Sequence, residues 1–147
     1  VAGLPESAGG TQANLQLAHR LYRALSEGDL EALVALLTED FEGDLSPGLP
    51  EGFGSSRYVG RRSMLVDGWG RIAARVDLAP VLDDVHATAS MIIGRGRYVG
   101  RVRGSEALVE ARFAHFWTVS DGRLSSVFQV TDTGAWRDAL EGHPSWG

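Results

Sequence analysis

The stretch ALVEARFAHFWTVSDGRLSSVFQVTDT, residues 107–133, decides the fold. Ala107 to Val119 reads as a strand, and within it Phe113, His115 and Trp117 share one face while Ala114, Phe116 and Thr118 share the other. Ser120-Asp121-Gly122-Arg123 is a tight hairpin connection, because Asp-Gly supplies the backbone angles that a short antiparallel turn requires. Leu124 to Val130 is the returning strand, and Asp132 or Thr133 caps a short final helix containing Trp136 and Leu140.

Working outward, Val76 to Val85 and Ala89 to Val102 are two further strands. Gly94, Gly96 and Gly100 have the wrong spacing for a dinucleotide fingerprint. Within a strand they mark bulges or bends, as a curved sheet needs. Upstream the period changes. Leu15, Ala18, Tyr22 and Leu25 recur at helical spacing over Asn14 to Glu27; Gly28 stops that helix and Asp29 caps the next, Leu30 to Leu37. Phe41 to Leu45 alternates as a short strand, and Ser46 to Gly60 is a long loop punctuated by Gly and Pro. Arg61 to Ala74 is a third helix with Met64, Leu65, Trp69 and Ile72 on one stripe. Helices first and strands later is an α+β order, unlike the alternation of a parallel α/β sheet. The expected organisation is a flexible tail over residues 1–13, one domain over 14–141 and a C-terminal tail over 142–147.

Composition narrows the function. The chain has 147 residues, 44% of them hydrophobic, enough for a core without staples, and it lacks cysteine. Thiolate chemistry and disulfides are thereby excluded. A formal charge of −5 argues against bulk attraction to nucleic acid or an anionic membrane. The first ten residues carry no basic stretch followed by an apolar core, so the expected location is cytoplasmic. No Walker loop, His-Glu-x-x-His or Gly-x-Ser-x-Gly occurs. The four histidines are scattered without ligand spacing, so neither a metal nor a cofactor is expected.

His115, between two aromatics on one strand face, would be desolvated and neutral, which suits a general base or a donor to a developing oxyanion. The plainer reading is a core histidine satisfied by a neighbouring carbonyl. Arg95, Arg97, Arg101 and Arg103 alternate on one side of a strand. They form a solvated or dimer-facing surface, or Arg97 points into a pocket and holds a polar substrate group.

Three stretches together resemble the SnoaL-like and ketosteroid-isomerase-like branch of the NTF2-like superfamily. They are Leu21 to Leu33, with its helix–Gly28–Asp29–helix opening; the glycine-rich Gly52-Phe53-Gly54 through Tyr58-Val59-Gly60; and Ala114 to Leu124 continuing through Gln129 to Thr133. The resemblance covers residues 14–140. It implies an α+β cone: a curved, mostly antiparallel sheet wrapped around three N-terminal helices, with a deep pocket at the open end and a short C-terminal helix. It also implies homodimers through the outer face of the sheet and cofactor-free acid–base reactions.

Carried over by position, His115 falls where ketosteroid isomerases place their oxyanion-stabilising acid. Gln129 falls where ring-closing and epoxide-opening members place a catalytic aspartate, and glutamine cannot exchange that proton. Leu45 falls at the isomerase base with Asp44 one position away, and Leu21 rather than Tyr22 falls at the isomerase tyrosine. Asp132 matches a recurring acid but sits as a helix cap.

The expectation is a cofactor-free enzyme of bacterial secondary metabolism acting on a polyketide-like or polycyclic molecule, as a cyclase, isomerase, dehydratase or epoxide-opening enzyme. His115, Asp44 and Gln129 are its catalytic candidates. Tyr22, Tyr58, Trp69, Arg97 and Trp117 are its substrate-binding candidates. The alternative is a small-molecule-binding protein without chemistry; an interaction domain ranks third.

Overall fold

The computed structural model of the chain describes residues 3–50 and 52–142. Helix α1 spans Gly3–Glu27 and helix α2 spans Leu30–Leu36. Strand β1 is Leu37–Asp44 and the short β2 is Arg57–Val59. A third helical segment, α3, is assembled from Arg61–Ser63, a π-helical stretch Met64–Trp69, and Gly70–Arg75. Strands β3 (Val76–Ala87), β4 (Met91–Val102), β5 (Leu108–Ser120) and β6 (Arg123–Thr131) follow, then helix α4 (Thr133–Glu141).

The strands form one curved, unclosed sheet in the order β2-β1-β6-β5-β4-β3. Every pairing is antiparallel except β1 with β6. The expected α+β cone is therefore the observed fold. Three details differ from the reading of the sequence. Helix α1 begins at Gly3, within the stretch read as a tail. Strand β1 begins at Leu37, four residues early, because the backbone there pairs with Leu124 of β6. Strand β2 lies inside the stretch read as loop, where Tyr58 pairs with Gly43. Residues 143–147, most of the expected C-terminal tail, lie outside the described residues.

Local chemistry sets the element ends. The Asp29 side chain accepts from the Ala32 amide at 3.1 Å and Asp132 accepts from Ala135 at 3.2 Å, so each satisfies a backbone donor that its helix leaves open. Asp121 and Gly122 both take positive φ, 51° and 76°, the geometry of a two-residue hairpin matched to strand twist. The irregularity foreseen for the glycine-rich strand appears in its partner, as a register shift between Leu82 and Asp84 opposite Gly96 and Arg95.

Helix α1 lies across β3 and β4 with Leu17, Ala18, Leu21 and Tyr22 buried. The Asn14 amide anchors it by donating to the Thr88 carbonyl at 2.8 Å. Phe41, Trp117 and Trp136 are fully buried between sheet and helices. Removing a side chain the size of Phe41 from water stabilises the fold by about 1.5–3 kcal/mol. The sheet's other face is wetter, and Phe116 of β5 meets Phe128 of β6 there with ring centroids 6.2 Å apart.

Candidate active site

Inside the curve of the sheet is a cavity of about 360 Å³. Its walls are mostly apolar, including Leu45, Leu65, Trp69, Trp117, Val127 and Trp136. The exposed Ser26, Glu27, Asp77 and Arg103 also line it, which places its polar rim at the α1–α2 turn and the start of β3. The π-helical stretch of α3 delivers Leu65 and Trp69 to the wall; such widened turns recur at functional sites.

Three neighbouring strands bring polar groups to this wall. His115 of β5 lies between Gly94 of β4 and Gln129 of β6 in the strand register. Its Nδ1 is 2.7 Å from the Tyr22 hydroxyl and its Nε2 is 2.6 Å from the Tyr98 hydroxyl. Trp117 Nε1 donates to the Tyr22 oxygen at 3.0 Å, and Gln129 Nε2 donates to the Tyr98 oxygen at 2.6 Å. The Gln129 carbonyl oxygen accepts from the Ser46 amide at 3.3 Å. His115 and Gln129 are only 4% and 5% exposed, and the Phe113 ring stacks on the imidazole with centroids 4.1 Å apart.

Burial governs the protonation states. It pushes the His115 imidazole down from 6.5 to about 3, so the ring is neutral at physiological pH. It pushes the Tyr22 and Tyr98 phenols up, against the lowering effect of Trp117 on the first and Gln129 on the second. Both tyrosines therefore remain hydrogen-bond donors. The wall is a set of neutral donors in dry surroundings, where they act more strongly on a developing negative charge than in water.

Of the candidates read from the sequence, His115, Gln129, Trp69 and Trp117 line the cavity. Tyr22 does not; it reaches His115 from α1 behind the wall. Tyr58 is also absent from the lining, and its hydroxyl donates to the Phe53 carbonyl at 3.1 Å. Arg97 points away from the cavity, 47% exposed, and meets Glu110 at 3.3 Å, on the surface read as solvated or dimer-facing. Asp44 falls in register with Phe128 of the parallel neighbour β6 and shares its outer face, while the next residue, Leu45, takes the cavity position.

The sequence reading missed Tyr98 as a site residue. Its signal was the same period of two that set the arginines outward. Tyr98 shares a face with Gly94 and Gly96, and that face is buried.

A family profile described as "SnoaL-like domain" matches residues 18–127. No curated protein matches the chain. Among solved structures, an NTF2-like protein from Burkholderia thailandensis E264 is 27% identical with a TM-score of 0.76, the match covering 88% of this chain and 97% of that one. IdmH from Streptomyces antibioticus, for which polyketide cyclase activity is proposed, is 21% identical with a TM-score of 0.71, covering 86% and 96%. An LEH-like epoxide hydrolase from M. tuberculosis is 18% identical with a TM-score of 0.69, covering 90% and 92%. At these last two identities the likeness is one of fold.

Proposed function

Because this chain belongs to the SnoaL-like domain family, we propose that its cavity takes a polyketide-like or polycyclic small molecule and carries out a cofactor-free acid–base reaction of the cyclisation, isomerisation, dehydration or epoxide-opening type. The observation that carries this is the buried Tyr98–His115–Gln129 group on the wall of an otherwise apolar cavity. Buried polar side chains are costly to keep in such surroundings, and a few convergent ones in an apolar pocket are the usual means of orienting a ligand.

The cavity volume suits two or three fused rings, with Trp69 and Trp117 as flat walls. Tyr98 receives the substrate oxygen. As a proton leaves the adjacent carbon, negative charge develops on that oxygen and the phenol proton stabilises it. His115, neutral and engaged at both nitrogens, positions Tyr98 rather than taking the proton itself. The proton acceptor comes from the rim, where Glu27 and Asp77 supply carboxylates. The proton is then returned to another carbon or to a leaving oxygen, so no redox partner is needed.

The second reading, a binding protein without chemistry, is favoured by one feature: among the described residues, the lining carboxylates of Glu27 and Asp77 are exposed, and no buried one faces the cavity. Thermal-shift screening with aromatic polyketides, sterols and epoxides, followed by mass spectrometry of each stabilising compound, separates the two. Altered retention or mass supports the enzyme. Stabilisation with the compound returned unchanged supports the binder, and no stabilisation by any of them overturns both.

A further inference from the structure

We propose that Tyr22, held from behind by Trp117, is a positioning residue that fixes His115 as its Nε2–H tautomer and so leaves the Tyr98 proton for an acceptor oxygen in the cavity. The inference deepens the proposed function and rests on it for the identity of that acceptor, a carbonyl or an oxyanion.

Three bonds in the network have a settled direction. An indole N–H only donates, so the Tyr22 oxygen accepts from Trp117. A backbone N–H only donates, so the Gln129 carbonyl oxygen faces Ser46 and its amide nitrogen faces Tyr98. The remaining contacts, Tyr22 to Nδ1 and Tyr98 to Nε2, each take one proton. A neutral imidazole carries one ring proton and each phenol carries one. Three protons serve two contacts, and one phenol proton is left over.

Which phenol keeps it depends on the tautomer. With Nδ1–H, the Tyr22 oxygen accepts from both Trp117 and His115, and its own proton is stranded. Tyr22 is buried, lies off the cavity wall, and touches no other acceptor among the described residues. With Nε2–H, Tyr22 donates to Nδ1 and is fully satisfied. Tyr98 then accepts from both His115 and Gln129, and its surplus proton belongs to a residue that lines the cavity. A buried donor without an acceptor is the more costly arrangement, so the Nε2–H form is selected. Receiving two hydrogen bonds polarises the Tyr98 O–H and makes it a stronger donor. Both of its lone pairs are occupied, so at this point the site gives a proton and takes none.

The test is nuclear magnetic resonance of the ligand-free protein labelled with 15N-histidine, with the His115 ring assigned by loss of its signals in His115→Gln. The expected pattern is a single tautomer, protonated at Nε2 and bare at Nδ1. Tyr22→Phe removes the donor to the bare Nδ1, so the 15N resonance of that nitrogen should move downfield, towards the position of an unprotonated ring nitrogen that accepts no hydrogen bond. An Nδ1-protonated ring in the wild-type protein overturns the inference without any variant being needed. A Tyr22→Phe protein that folds and leaves the Nδ1 resonance where it stands in the wild type overturns the role of Tyr22. Because no ligand is present, either failure is separate from failure of the ligand screen.

Discussion

A Cβ atom added to Gly94 would fall on the Tyr22 hydroxyl oxygen. Gly94 sits directly opposite His115 in the β4–β5 register, so the missing side chain is the space through which Tyr22 reaches Nδ1. Gly94→Ala should displace the phenol and destabilise the protein by about 1–3 kcal/mol, the usual range for overpacking. Urea unfolding checks it. In a Tyr22→Phe background the same substitution should cost less, since the clashing oxygen is gone; equal cost in both backgrounds would contradict this account of the glycine.

Tyr98→Phe removes the hydroxyl and preserves the ring. For an enzyme, turnover should fall by roughly 10²–10³ while apolar binding persists. Unchanged turnover with a confirmed substrate would remove Tyr98 from the chemistry.

A matched ketone and alcohol, 1-tetralone and 1-tetralol, probe the direction of the wall's hydrogen bond. The ketone should bind about tenfold more tightly by isothermal titration, because the alcohol's own proton meets no free lone pair on Tyr98. Equal affinities would mean that Tyr98 also accepts.

His115 gives a pH signature. Its folded value, about 3, lies below its ordinary 6.5. Between these values the unfolded chain binds a proton at this position and the folded chain does not. Stability from this group is therefore intact above about 6.5 and is lost as pH falls towards 3, on the order of 1 kcal/mol per pH unit. Denaturation of the wild type and His115→Gln across pH 4–7 should show a shallower slope in the variant. Parallel curves would mean that the ring titrates normally.

On the outer face of the sheet, Phe128 and Val130 are 50% and 47% exposed. A second copy of the chain covering them would explain apolar side chains on that surface. Light scattering should report a dimer for the wild type and a monomer for Phe128→Glu; a monomeric wild type would leave the patch without this role.

The sequence by itself determined the architecture. The Asp121-Gly122 turn, the caps at Asp29 and Asp132, and the switch from helical period to alternation are local signals, and each acts on the backbone within a few residues. They also placed His115 and Trp117 on one buried face. What only the tertiary structure decided was which polar groups meet. Tyr22 and His115 are 93 positions apart, and their contact depends on how α1 crosses β4 and on the absence of a side chain at Gly94. The one-residue question at Asp44 and Leu45 was settled by the parallel register with β6, a long-range pairing that no local pattern encodes. Periodicity tells a strand which two faces it has; the partners packed against it decide which face becomes the cavity wall.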